Sequence, residues 1–429
     1  MSKIKWGIGG IVFLGAVAVG GNIYADKVLQ AFYEQKPDVS ADANIKMQYS
    51  DFQMGLMTGS ASWMMTFIPD PCIPAEFVIL KGKDQIRRTL TGYAVNSDSK
   101  VHQGKPEAIK YLKGGVKADT TINWLGQSRT HFKLPAITEN VNGMSVRMDA
   151  LNAEIRTQSY PGQDTRLSAV KLSIPVINMT EKDAHLLAQD IVLETSQGLN
   201  KGTLKDGYTI LSISSMSRNE GAGKSAGSIK NMHLESTTKV HEQTVDIATQ
   251  FNIGKMTMPA AGSFDEFSMN MNLKDLKLKK VQSFFDTLEN FNQTCTSSDA
   301  ETQVLLDSLL AVIGDGFNFE SKDNMIKASG GEAKASLTGK LMPGHHGSIT
   351  GFVQMVPSLL DFSADIQFDK ALLKAMMNNY LQNAGRSMSD QEVENMIQAM
   401  QQQGQVQRDG NNMIMRLDYK YGQQSYRKE

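Results

Sequence analysis

The chain is poor in the residues that usually announce chemistry. Its 429 residues hold two cysteines, Cys72 and Cys295, and neither has a second Cys or a His at ligand spacing, which argues against a metal site and fits an oxidising compartment. Basic residues (44 Lys+Arg) do not outnumber acidic ones (45 Asp+Glu), so the cationic stripe by which proteins hold nucleic acid is missing, and nucleic acid is not expected as a partner. Three Trp argue weakly against carbohydrate processing. Hydrophobic residues at 41% and charged ones at 21%, with a mean hydropathy of -0.30, exclude both a polytopic membrane protein and a disordered acidic chain. No low-complexity linker divides the sequence; the Gly/Ser-rich stretch 219–228 is short enough for a loop.

Only one long run lacks charge. Trp6 to Ala25 is twenty residues of mainly Gly, Ala, Ile, Val, Phe and Leu, which as a helix spans about 30 Å of hydrocarbon. One crossing is expected, as an uncleaved anchor. The alternative is a cleaved signal peptide. Lys3 and Lys5 supply its basic start, but Ala16-Val17-Ala18 comes too early for a cleavage site and Ile23 is bulky for cleavage after Ala25. The same lysines favour a cytoplasmic N-terminus, weakly opposed by Lys27 and Lys36. The expected organisation is a cytoplasmic start at 1–5, an anchor at 6–25 and one body at 26–429 outside the cytoplasm. Ala16 and Gly20 form a small-xxx-small pair of the kind that packs helices together. Cys72 and Cys295 can form a disulfide closing a loop of over 200 residues, worth about 5 kcal/mol in the chain-entropy model, or remain two buried thiols; sequence leaves both open.

Within the body the dominant period is two. Phe267, Met269, Met271 and Leu273 alternate with polar residues, as do Val245, Ile247, Thr249, Phe251 and Ile253, which predicts half-buried antiparallel strands. Similar runs occur at 45–49, 144–148, 229–238, 362–368 and 413–421. Turn clusters such as Lys205-Asp206-Gly207 and Met342-Pro343-Gly344 predict hairpins rather than βαβ crossovers. Two regions, about 276–313 and 369–403, switch to helical spacing. Val281, Phe284, Phe285 and Leu288 precede Val304, Leu305, Leu309 and Val312 in the first; Leu372, Leu373, Met376, Met377 and Tyr380 precede Val393, Met396, Ile397 and Met400 in the second. Ser389 with Glu392 spells a capping box. The fold class is therefore α+β: a long antiparallel meandering β-sheet with two helical-hairpin insertions, preceded by one N-terminal transmembrane helix.

Chemical motifs are few, and each has a bland competitor. Gly223-Lys224-Ser225-Ala226-Gly227 spells a nucleophile elbow, but its polar upstream flank and the strand expected after it do not supply the required strand–turn–helix. Arg218 stands where a P-loop needs its first Gly. His345 and His346 are adjacent in a turn, the other histidines are scattered, and His233 and His241 are expected to flank a turn. Asp361, Asp365 and Asp369 recur every four residues without sugar-stacking aromatics. No catalytic residue, metal site or cofactor is expected. Methionine is the one abundance, with 25 residues. Met269 and Met271 on a strand, with Met376, Met377, Val393, Met396, Ile397 and Met400 on helices, either pack as ordinary core or line an apolar groove between sheet and helices.

Gly20-Gly21-Asn22-Ile23-Tyr24 follows the basic start and the membrane helix, then Tyr49-Ser50-Asp51-Phe52-Gln53-Met54-Gly55-Leu56-Met57-Thr58-Gly59. Asp365-Ile366-Gln367-Phe368 leads into the paired helices, and the chain finishes through Asp418-Tyr419-Lys420-Tyr421-Gly422. In this ordering the sequence resembles the YdgA/YihF family of Gram-negative bacterial proteins, whose biochemical function is unknown; the likeness is carried by the two ends and is diffuse between them. The resemblance implies an inner-membrane-anchored periplasmic β-rich domain and brings no catalytic residues. The chain departs from the family in ending soon after Tyr421-Gly422, without a further C-terminal strand. The functional expectation is a single-pass inner-membrane protein with its bulk in the periplasm, acting as a binding or scaffold component of the envelope. Its partners would be the membrane, envelope proteins or further copies of itself. Lipid or lipophile binding in a sheet–helix groove is the alternative, and a periplasmic hydrolase the third.

Overall fold

The computed structural model describes residues 45–427 except 69–76, 91, 105–114, 124–126, 142, 159–165, 197–203, 221–223, 259–261, 294–298, 329, 345–348 and 383–386. The expected anchor at 6–25, Cys72, Cys295, His345 and His346 therefore lie outside the described residues. No described helix is long and apolar enough to cross a membrane. Among the described residues the chain is mostly antiparallel β-sheet, 67% strand, with five short helices. Its residues gather into two compact units: 45–179 with 190–196, and 180–189 with 204–292 and 299–427.

In the first unit, β1 (Ile45–Met54), β2 (Thr58–Phe67), β3 (Val78–Thr89), β4 (Gly92–Gly104), β5 (Val116–Asn123) and β6 (Gln127–Leu134) form a meander. A side hairpin, β7 (Ile137–Val141) and β8 (Met144–Met148), intervenes before β9 (Leu151–Gln158) returns against β6 and pairs with β10 (Arg166–Glu181). Alternation is strict: β5 and β6 expose every second residue and bury the rest. Trp63, Met65, Leu80, Phe132, Leu151 and Ile155 share one core cluster, and Ile86, Tyr93, Val95 and Ile122 another. Every described member of the two clusters lies on a strand.

The same strands also carry buried polar groups in mutual contact. Trp63 Nε1–H donates to Asp84 Oδ1 at 2.8 Å and Ser97 Oγ–H to the same oxygen at 2.6 Å, while Thr120 and Thr130 hydroxyls meet at 2.8 Å. Burial, and next the charge of Asp84, push the Tyr49 phenol well above its ordinary 10.0. Gly82 pairs with Trp63, and a Cβ there would lie 2.2 Å from the indole, so only glycine lets the ring lie across β3.

The second unit continues the meander after β11 (Ala184–Thr195): β12 (Gly207–Glu220), β13 (Lys224–Val240), β14 (Thr244–Met258), the short β15 (Gly262–Phe264), and β16 (Glu266–Lys277). Helices α1 (Leu278–Gln293) and α2 (Asp299–Ile313) follow, then β17 (Phe317–Ala328), β18 (Gly331–Leu341), α3 (Ile349–Leu359) and β19 (Leu360–Asp369). After α4 (Lys370–Gln382) and α5 (Asp390–Gln402) come β20 (Gln407–Asp409), β21 (Asn412–Lys420) and β22 (Gln423–Tyr426). The ladder runs β12-β13-β14-β16-β17-β18-β19-β21-β22, each pair antiparallel.

The predicted helical regions are α1 with α2 and α4 with α5. Ser389 caps α5 as its sequence predicts: its backbone N–H donates to Glu392 Oε2 at 2.7 Å, and the Glu392 backbone N–H to Ser389 Oγ at 3.3 Å. Two expectations are corrected. Helix α3 is an element that periodicity did not predict, its pattern interrupted by Gly351 and Pro357. A further C-terminal strand exists: Tyr421 (φ 49) and Gly422 (φ 88) make a turn with both central residues left-handed, and β22 pairs back onto β21.

Candidate binding face

Register fixes which side chains of the second unit share a face. Leu211, Leu234, Phe251 and Met269 stand opposite one another across β12, β13, β14 and β16. Ile213, Met232, Ile253 and Phe267 form the next row, and Met216, Ile229, Met256 and Phe264 a third. At about 4.8 Å per strand and 3.4 Å per residue, these rows cover roughly 14 Å by 17 Å. The period-two pattern slips once: Asn231 takes φ 53 opposite Gly254, where a Cβ would approach the Asn231 side chain to 3.0 Å. The third row lies beyond that break.

The same face is covered elsewhere, by helices. Helices α1 and α2 seat Val281, Phe284 and Val312 against Leu273, Leu276 and Ile247. Leu310 and Phe352, from α2 and α3, pack on Leu341 and Leu360. Val393, Ile397 and Met400 of α5 pack on Phe368, Met413 and Met415. None of these clusters includes the three rows. Toward the α1–α2 end the rows stop at Thr209, Ser236 and Thr249, polar residues paired across the strands; Ser236 and Thr249 hydroxyls are 3.4 Å apart. The side chains of these rows are half-buried, except Ile253, which is buried. One edge-to-face aromatic contact, Phe251 on Phe267 at 5.9 Å, stiffens the middle.

The opposite face is ionic. Lys274 pairs with Glu320 at 2.7 Å, with Lys322 on the same carboxylate; Lys327 pairs with Glu266 at 2.7 Å, and Arg427 with Asp365 at 2.9 Å and Asp418 at 3.1 Å. Hydrogen bonds from Lys274 and Lys322 lower the Glu320 carboxyl from 4.5 to about 2. One face is thus apolar and the other is a solvated lattice of charges.

The structure brings the expected groove residues together only in part. Met269 lies in the open rows and Met271 just beyond them, beside Thr249. Val393 and Ile397 are sealed at 0% and 1% exposure, Met400 packs beside them, Met396 and Met377 are half-buried and Met376 is 56% exposed. Strands β17 and β18 separate Met269 from the strand on which these helices rest. The residues missed were those of β12 and β13, where Asn231 breaks the alternation.

Other sequence motifs find structural roles. Ser225 pairs with Asn219 at the start of β13, and the chain continues as strand to Val240 rather than as the helix an elbow requires. His233 sits within β13, its Nδ1 3.0 Å from Ser212 Oγ, and not beside a turn; only His241 does, 3.1 Å from Asp246. Asp361, Asp365 and Asp369 share one side of β19 at intervals of roughly 13 Å, too far apart to act as a carboxylate pair. Asp369 instead accepts from Glu332 N–H at 2.6 Å and Leu372 N–H at 2.7 Å. A polar cleft of 930 Å³ beside α4 has charges that already pair, Lys374 with Asp390 at 2.8 Å. Among the described residues no group of three His, Cys, Asp or Glu is placed to hold a metal.

The sequence profile of a family described as a bacterial protein of unknown function, DUF945, matches residues 96–425. No curated protein and no solved structure matches the chain.

Proposed function

Because the chain belongs to the bacterial family of unknown function DUF945, no activity comes with its kinship, and we propose from its own residues that it is a non-catalytic, membrane-anchored binding protein of the cell envelope. Within that family it is of the YdgA/YihF type. Trp6 to Ala25 anchors it in the inner membrane, and the rest of the chain works in the periplasm. Its ligand is a lipid or other lipophile laid on the open rows of β12, β13, β14 and β16.

One observation carries this reading: rows of paired apolar positions that no described helix covers, on a sheet where the described helices pack on other apolar areas. Methionines at 216, 232, 256 and 269 make it adaptable to chains of varied shape. The test is native mass spectrometry of the detergent-extracted protein, with uptake of a fluorescent fatty acid. A bound lipid mass is expected, and Leu234→Lys should abolish uptake while leaving the melting temperature within a few degrees. A lipid-free wild type that takes up no fatty acid would sink the lipophile reading.

The scaffold reading stands second, supported by apolar side chains exposed on helices: Val304 at 57%, Val353 at 63% and Met355 at 43%. A defined multimer without lipid in the same spectra would favour it. N-terminal sequencing tests the anchor independently, since a mature chain beginning at or after Asp26 would overturn it.

A further inference from the structure

We propose that the end of the first unit from which the β1–β2 and β3–β4 turns project is a membrane-docking surface that inserts into an anionic lipid bilayer. Gly55 N–H donates to Thr58 O at 2.8 Å and closes the first turn, leaving Leu56 and Met57 at its tip with 83% and 57% of their surface exposed. Leu90, 92% exposed, occupies the neighbouring turn. Arg88 N–H donates to Met57 O at 2.8 Å, so the two tips are one surface. Four residues below Leu90, Ile86 is 2% exposed and joins the core. The unit buries large aliphatic side chains along its strands and presents three at turns, where small polar residues ordinarily sit.

The charge beside the tips suits a phosphate-bearing surface. Arg87 is exposed, and the Arg88 guanidinium lies 5.9 Å from the Tyr93 ring centroid. At the same end of the strands opens a cleft of 550 Å³ lined by Thr89, Tyr93, Ser128, Arg129 and Arg156. Glu154 holds Arg129 at 2.6 Å and Arg156 at 2.7 Å, so one carboxylate orients two guanidiniums and leaves them a net positive charge. Asp51, exposed on β1, is a further acid of the same strands among the described residues. Apolar tips beside cations that can meet headgroup phosphates are the physical requirements of shallow interfacial insertion. A protein partner fits less well, because a stable interface takes about 20–30 residues a side and the tips offer three protruding side chains.

Reach is adequate. The tip stands about 30 Å along β1 from Ile45, and the nineteen residues between Ala25 and Ile45 can extend to roughly 60 Å. This inference rests on the anchored reading only for bringing a bilayer within reach, and it is independent of the lipophile on the other unit.

The test uses the full chain reconstituted into phosphatidylcholine vesicles with and without phosphatidylglycerol. An environment-sensitive fluorophore is attached to Leu90→Cys or, as control, to Lys83→Cys, exposed in the middle of β3, with the identically treated wild type as the blank. In vesicles containing phosphatidylglycerol the Leu90 probe should shift to the blue and be quenched by lipids carrying a nitroxide on the acyl chain, while the Lys83 probe does neither. Arg87→Glu combined with Arg129→Glu should remove the dependence on phosphatidylglycerol. A chain that floats with the vesicles while its Leu90 probe stays unshifted and unquenched would overturn the docking surface and spare the anchor. A chain that does not float overturns both. A blue shift that grows with protein density but resists lipid quenching would assign the tips to contacts between copies and overturn the membrane reading.

Discussion

Two units built from the same antiparallel meander solve the burial of an apolar face differently. In the first, β3, β4, β5 and β6 alternate between buried and exposed positions along most of their length, and the described core residues all come from strands. In the second, β12, β13, β14 and β16 are half-buried along most of their length, and the described core clusters form where helices land. A sheet covered by short helices keeps whatever they do not reach. The candidate binding face is thus the area that the described helices do not reach, and the exposed aliphatic tips of the proposed docking surface lie on the unit whose described core is built from strands.

The comparison breaks most visibly at Trp63. Replacing it with Ala removes a large side chain from the first unit's core and one of the donors to buried Asp84, so a loss of about 3–5 kcal/mol is expected in urea unfolding followed by circular dichroism. A loss below about 1 kcal/mol would mean that Trp63 is not part of a packed core. A sharper contrast lies within the second unit. Ile397→Ala, beneath α5, should cost about 2–5 kcal/mol, whereas Leu234→Ala, in the open rows, should cost about 1 kcal/mol and act mainly on ligand uptake. Equal losses would show the rows to be core. Smaller again is Ser389→Ala, expected to cost about 1 kcal/mol through loss of the capping box, read as fraying of α5 in hydrogen exchange while the strands stay protected.

Much of this was legible in the sequence, for reasons that also explain what was not. Strand β16 could be read because Phe267, Met269, Met271 and Leu273 keep strict alternation, and α5 because a capping box precedes a stripe at helical spacing. Helix α3 could not, since Gly351 and Pro357 weaken its signal and its cover of Leu341 and Leu360 is a tertiary fact. Strand β22 was hidden by its length of four residues. Spacing showed that Val393 and Ile397 share a face; it could not show that Met413 and Val406 seal it. Nor could it show Leu211, Ile213 and Met232 as neighbours of Met269, because that relation exists only in the register around the left-handed Asn231. The candidate binding face is a product of strand pairing and was therefore the least legible part.

The smallest expected effect belongs to the ionic side of the second sheet. Lys274 and Lys322 hold Glu320 at about 2, below its ordinary 4.5, chiefly by hydrogen bonding, so the folded protein binds the Glu320 proton less readily than the unfolded chain does. The stability this lends is fully present above the unfolded value, near pH 4.5, and is lost as pH falls through the folded value near 2. Melting temperatures of the wild type and of Glu320→Gln should therefore separate slightly above pH 4.5 and converge as pH approaches 2. The gap should also narrow in high salt, since the lysine partners are about half exposed, at 47% and 59%. A gap of the same size at both ends of that pH range would show that Glu320 contributes through packing rather than charge, and the lattice on this face would then have no part in holding the sheet that presents the apolar rows on its other side.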